Sequence, residues 1–414
     1  MIRILNRYFA NQQYIQSKSV YGLLKHYRSP LNNYVFTDDP SVDCIILLHI
    51  ETVTPDLDNE TYNELLRCYK QNPRNKILID TTLEDFLNSN FFDITKKLEE
   101  YGIAREDIFV LTGQNNVPIF QHDFLIPYVT FNINLFELSY YYFVHENNLH
   151  KEVFKPIKPR KLTRHVCSFI KNPRKVRRLL HAYYCLNGYD QYMLNSWHHT
   201  KAFNDSDRKD LAELGVISND ISDEKWKKIV TSLEELVQYN DDVEGNGEWI
   251  YQPGVKECGL VFTNETHHSF EKRDFLQRHI NLDIDINYDF QLLKEAPIFY
   301  RFFLTEKTYK NFAYGMPFLN LGIPGSAEML GTYGYKSWEN ILDIPSSAAT
   351  YYEGFNNAFE AMDKIFNMPL QELEDIVNSE RSIDCLKHNR QKFLEQHEFR
   401  RLINVLEIIT STII

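Results

Sequence analysis

Two segments of this sequence combine cations with a helix start, an arrangement suited to anionic groups. The first is Lys171-Asn172-Pro173-Arg174-Lys175 with Arg177 and Arg178. The apolar run 165–170 before it reads as a strand. Val176, Leu179, Leu180 and Tyr183 follow at helical spacing, so the turn joins strand to helix, with Asn172 as N-cap and Pro173 in the first helical position. Cations in the first turn of a helix face the positive end of its dipole, at a cost of about 0.3–1 kcal/mol each. A phosphate bound by the free N–H groups and the arginine forks offsets that cost. A solvated basic helix surface has the same composition.

The second segment runs from Leu304 through Thr305, Glu306, Lys307, Thr308, Tyr309 and Lys310 to Gly315, and on into Pro317-Phe318-Leu319-Asn320-Leu321-Gly322. A helix that opens near Thr305 and closes at Gly315 delivers the chain directly into a buried strand. Glu306 and Lys307 then stand in the first turn, where a carboxylate can accept from two adjacent hydroxyls and an ammonium can neutralise an anion. By spacing alone, a Glu-Lys pair is an ordinary surface feature. Proton transfer needs a further group. Carboxylates just past apolar runs supply candidates: Glu51 after 44–50, Asp80 after 76–79, and Asp39 with its neighbour Asp38 after 34–37. Asp80, followed by Thr81-Thr82, also reads as a cap for the next helix. His198-His199 and His267-His268 lack the helical spacing of a zinc pair, and Asp283 and Asp285 read as one face of a solvated strand, so no metal site is expected.

The elements that must position these groups are those of an α/β protein. Apolar runs at 34–37, 44–50, 76–79, 108–111 and 128–133 alternate with helix-like stretches at 59–71 and 82–101, the pattern of βαβ units and a parallel sheet. Residues 1–150 therefore read as a Rossmann-like lobe and the polar, proline-interrupted 151–164 as a linker. Residues 165–345 read as a second lobe with strands at 165–170, 258–263 and 317–321, a short helix from Ser326, and an acidic insertion at 202–248 that includes a helix at 223–239. Amphipathic helices at 349–366 and, with breaks, 370–409 fill the C-terminal part, 346–414, and are expected to pack back across the hinge. A length of 414 residues favours two lobes over one.

Composition narrows the class. With 43% hydrophobic and 25% charged residues, the chain is neither disordered nor fibrous. Its net charge of −12 speaks against a protein that coats nucleic acid over its whole surface. That charge is uneven: residues 151–178 hold eleven Lys or Arg against one Glu, a local +10 that leaves −22 on the rest. No run approaches the roughly 20 apolar residues that span a bilayer, and the start of the chain lacks a signal-like segment, so a cytoplasmic protein is expected. The six cysteines are scattered and read as reduced thiols.

Thr305-Glu306-Lys307, Lys310, Gly315 and Pro317-Phe318 ahead of Gly322 resemble the donor-binding segment of α-1,3-fucosyltransferases and related GT-B enzymes. They are closer still to a group of bacteriophage-encoded glycosyltransferases. Those chains pair the segment with an upstream Thr-Glu-Thr-like strand end and a downstream Gly-Phe turn. Here the counterparts are Thr263-Asn264-Glu265-Thr266 and Tyr333-Gly334-Tyr335, and Asn172 to Arg178 supplies the basic strand-to-helix turn. The likeness covers about residues 165–345. It departs from the pattern at Tyr335, where phenylalanine is usual, and in the insertion.

The resemblance implies a GT-B-like fold of two Rossmann-like lobes and a nucleotide-sugar such as a UDP- or GDP-sugar as co-substrate, with no further cofactor. It implies that Glu306 holds the ribose, that Lys307 with Arg174, Arg177 or Arg178 holds the diphosphate, and that Glu265 helps place the sugar. The acceptor stays open between a modified base in phage DNA, such as hydroxymethylated cytosine, and a glycan. A catalytically inactive GT-B-like module that binds nucleotide or nucleic acid is the alternative.

Overall fold

The computed structural model describes residues 1–10, 19–26, 33–50, 57–81, 89–113, 128–134, 155–170, 175–197, 254–264, 306–321, 326–345 and 351–413, with isolated positions between 137 and 153, between 208 and 227, and at 304 and 348. Its first sheet is parallel throughout. It contains β1 (Ile2–Leu5), β2 (Phe9–Ala10), β3 (Tyr34–Thr37), β4 (Ile45–His49), β5 (Lys76–Thr81), β6 (Ile108–Thr112) and β7 (Val129–Asn132), in the order β3-β1-β4-β5-β6-β7 with β2 against β4. Every residue of β4, β5 and β6 is buried, which is why these strands read as continuous apolar runs. β1 and β2 were not foreseen. After β1 the chain forms β2 beside β4, crosses through α1 (Val20–His26) to β3 on the outer side of β1, and returns to β4 on its inner side, so the order of the sheet reverses between β1 and β4. In open α/β sheets, the crevice beyond the carboxyl ends of strands at such a reversal is where ligands sit.

Alternation along the strands sends side chains to two different cores. Ile46, Leu48, Ile77, Ile79, Ile108 and Val110 pack with α2 (Asn59–Lys70) and α3 (Ser89–Glu100). Asp58 caps α2 by accepting from the Thr61 N–H at 2.7 Å. On the opposite face, Ile45, Leu47, Leu78, Phe109 and Leu111 pack with α1 and with a helix from the far end of the chain.

The second sheet is also parallel: β8 (Arg164–Ile170), β9 (Met193–Trp197), β10 (Cys258–Asn264) and β11 (Phe318–Leu321), in the order β11-β10-β8-β9. Its helices are α4 (Lys175–Leu186), α5 (Glu306–Tyr314), α6 (Ser326–Thr332) and α7 (Glu339–Leu342). Gly315, at φ 63°, ends α5 where the sequence places its stop. Strand β9 was not foreseen, and of the expected helix at 223–239 only 223–227 lie among the described residues, as helix. Tyr140, Tyr141, Val144 and Val153 pack in the core of this second sheet, although the sequence reading gives them to the first lobe and the linker.

Backbone approach is tight at Gly259, where a Cβ would lie 2.6 Å from Leu373 Cδ2 and 2.8 Å from the His165 carbonyl oxygen. Gly259→Ala is expected to destabilise the second lobe by about 1–3 kcal/mol, read as a lower denaturation midpoint at unchanged slope.

The expected pair of terminal helices is four: α8 (Tyr351–Asn367), α9 (Leu370–Val377), α10 (Glu380–Leu394) and α11 (His397–Ser411). The breaks have local causes: Pro369 precedes α9, Ser379 caps α10, and Gln396 adopts the left-handed region at φ 53° before α11. Helices α8 to α10 bury their apolar stripes on the second sheet, whereas α11 crosses over: Phe399, Leu402, Ile403, Leu406 and Ile409 lie in the core of the first. All six cysteines are free thiols. Among the described residues, no helix is long and apolar enough to cross a membrane.

Candidate functional site

At the carboxyl end of the first sheet, His49 closes β4 and stands in register with Asp80 on β5. Register partners on adjacent strands share a face. Here His49 Nδ1 meets Asp80 Oδ2 at 3.0 Å, with both side chains buried. The same Oδ2 accepts from the backbone N–H of Val20, in the first turn of α1, at 2.8 Å. A carboxylate oxygen that receives a backbone donor from one side and an imidazole from the other fixes the imidazole tautomer. The neutral tautomer that fits this contact carries its proton on Nδ1 and its lone pair on Nε2. Nε2 is buried and has no hydrogen-bond partner among the described residues. Tyr8 lies near-parallel to the imidazole, at 6.4 Å between centroids and 23° between planes. An imidazole oriented by a carboxylate, with its second nitrogen uncommitted, is the arrangement of a general base.

Of the carboxylates singled out in the sequence, Asp80 thus appears as the partner of a histidine that the sequence reading passed over. Asp39 is exposed in a turn, where its carboxylate accepts from the Ser41 N–H at 2.9 Å and the Ser41 hydrogen bonds hold its pKa below the ordinary value. Asp38 accepts from Asn6 Nδ2 at 2.8 Å on the same rim. Glu51 lies outside the described residues.

At the second sheet, α4 follows the carboxyl end of β8, and the first turn of α5 lies over the carboxyl ends of β10 and β11. Asn311 Nδ2 donates to Thr263 Oγ1 at 3.0 Å and to the Lys307 carbonyl at 2.9 Å, and the Thr308 hydroxyl donates to Asn320 Oδ1 at 3.2 Å. Because β8 and β10 are neighbours, the two cation-bearing helix starts share one rim. Lys307 is half-buried there, whereas Lys310 and Arg177 are buried, so their charges lie inside the lobe. Asn172, Arg174, Glu265 and Thr305 lie outside the described residues, as do the side chains of Arg178 and Glu306. So do His198-His199, His267-His268, Asp283 and Asp285.

The two rims meet. Asn134, two residues past β7, donates its side-chain amide to the Tyr309 hydroxyl, two residues beyond Lys307. Tyr333, in the downstream turn noted in the sequence, donates to Asn132 Oδ1 at 3.2 Å. Helix α11 closes the junction: Arg401 donates to the Asn132 carbonyl at 2.8 Å, and Glu398 accepts from the Asn134 N–H at 2.7 Å. The chain matches no protein-family model and no curated protein.

Proposed function

We propose that the protein is a GT-B-like glycosyltransferase in which His49, oriented by Asp80, activates the acceptor. The buried His49–Asp80 pair at the carboxyl ends of β4 and β5 carries this reading. Nε2 takes the proton of the acceptor hydroxyl as its oxygen bonds to the anomeric carbon. The bond from that carbon to the nucleotide diphosphate breaks, and the diphosphate leaves with the electron pair. Asp80 stabilises the imidazolium that forms. Lys307, at the start of α5, meets the charge that builds on the leaving diphosphate. A base on the acceptor side fits a single displacement, which inverts the anomeric configuration.

The acceptor hydroxyl belongs either to a modified base in DNA or to a glycan. Lys155 and Lys158 stand exposed on the linker and would lie along a phosphate backbone in the first case. Ionic strength separates the two, because turnover on a DNA acceptor falls steeply with salt and turnover on a neutral glycan does not.

The test is a thermal-shift screen against UDP-, GDP-, CMP- and ADP-sugars. A ligand at a hundredfold excess over its Kd stabilises the folded state by about 2.7 kcal/mol, so one nucleotide should raise the melting temperature. Silence across all four defeats the proposal. With the donor identified, Lys307→Ala is expected to lower turnover about 10²- to 10³-fold, with the melting temperature of the free protein read beside the rate.

A further inference from the structure

The junction between the lobes buries two carboxyl groups around one asparagine. The backbone N–H of Asn134 donates to Glu398 Oε2 at 2.7 Å, and its Oδ1 accepts from the backbone N–H of Glu137 at 3.2 Å. Glu137 and Glu398 are 3% and 1% exposed, too little for solvent to screen like charges. Arg401 is the cation hydrogen-bonded in the cluster, at 2.7 Å from Glu398 Oε1. His397 Nδ1 approaches the same oxygen at 3.5 Å from the start of α11. Lys392, on α10, faces Glu137 but lies 3.9 Å from Glu395. The phenols of Tyr309, on α5, and of Tyr333 and Tyr335, after α6, face the pair, Tyr141 lines the cavity beside Glu137, and the Glu395 carboxylate acts on Tyr335.

These neighbours treat the two acids differently. Burial, and then the negative charge of Glu398, push the Glu137 carboxyl far above the usual carboxylate range. Burial opposes ionisation of Glu398 as well, but His397, Arg401 and the Asn134 N–H together outweigh it and hold that group below its ordinary value. With Arg401 on Glu398 Oε1 and the Asn134 N–H on Oε2, the negative charge of the pair is favoured on Glu398 and the proton on Glu137.

We propose that Glu137 is a proton-operated latch on the lobe junction. Protonated, it lets α11 dock on the first sheet; deprotonated, it sets a second buried negative charge beside Glu398, and α11 is released. The sign follows from linkage: the docked state keeps a proton that an exposed carboxyl has already lost, so docking weakens as pH rises through the raised value of Glu137. Glu398 acts in the opposite sense, its contribution fading as pH falls through its lowered value. Release reaches the candidate base. Phe399 of α11 and Leu23 of α1 line one cavity with Glu137, and α1 supplies the Val20 N–H that holds Asp80.

The latch stands independently of the proposed reaction and is read by hydrogen exchange on the full chain. Protection of 402–409 in α11, taken relative to 258–262 in β10 of the second sheet, is followed from about pH 5, just above the ordinary carboxyl value, to about pH 9. In the wild type this ratio should fall about tenfold or more, one decade being about 1.4 kcal/mol, and in Glu137→Gln it should stay level. Glu137→Ala, which is uncharged but leaves a void, should be level too, from a lower starting value; it serves if the glutamine variant folds poorly. A wild-type ratio that does not change with pH overturns the latch, as does the same fall in a variant without the carboxyl.

Discussion

His49→Ala is expected to lower turnover by about 10²- to 10⁴-fold while donor binding in a thermal-shift titration stays unchanged. The imidazole is held by Asp80 and by the register of the first sheet, and its partners among the described residues, Asp80 and Tyr8, both belong to that part of the chain. Added imidazole should restore part of the lost rate, since the void in the variant has the shape of the missing ring. Asp80→Asn should cost a similar factor by a different route. The amide keeps an oxygen for the Val20 N–H but presents no charge to the imidazolium and leaves the His49 tautomer unfixed. Because that substitution also touches α1, its melting temperature has to be read beside its rate. Wild-type turnover in His49→Ala removes the base from this residue and leaves Glu51, Asp38 and Asp39 as the carboxylates to examine.

The sequence made some of this legible and hid the rest for physical reasons. Strands β4, β5 and β6 stand out because a parallel strand covered on both faces must be apolar at every position. β9, Met193-Leu194-Asn195-Ser196-Trp197, lies at the edge of its sheet, and its polar residues remove that signal. β2 is two residues long, too short for periodicity to register, and in β1 the exposed Arg3 interrupts the apolar run of Ile2, Ile4 and Leu5. Asp80 could be marked as a strand-end carboxylate, but its partner could not be identified. His49 is 31 positions away, and only the register of two strands joined through α2 brings the pair together. A histidine ending the buried run Ile45–Leu48 was the available clue, since a polar residue there needs a partner. In the second lobe, the turn at Gly315 and the helix start at Glu306 are local features, and both were readable. The burial of Arg177 and Lys310 depends on packing from elsewhere in the chain, which no local spacing encodes.

Leu402→Ala is expected to destabilise the first lobe by about 2–5 kcal/mol, the usual range for a fully buried leucine. The position is informative because Leu402 is distant in sequence from the sheet it supports: it is 0% exposed and shares a core with Ile4, Leu23, Leu47 and Leu111. Its amphipathic stripe shows that α11 must bury a face, but the stripe does not say against what. The structure puts that face on the sheet that carries His49, so the lobe formed early in the chain is completed by its last helix. All four tryptophans fall between residues 197 and 338, and the two whose side chains are described, Trp226 and Trp338, lie in the core of the second sheet, so their fluorescence reports on it. Amide exchange in β4 and β5 follows the other. In Leu402→Ala, protection of β4 and β5 should fall by one to several decades, at about 1.4 kcal/mol per decade, while the urea midpoint seen by tryptophan moves little. Equal movement of both signals means that the Asn134–Tyr309 and Arg401–Asn132 hydrogen bonds join the lobes into one cooperative unit. The core assignment of α11 fails if β4 and β5 keep wild-type protection, and with it goes the route by which the junction reaches Asp80.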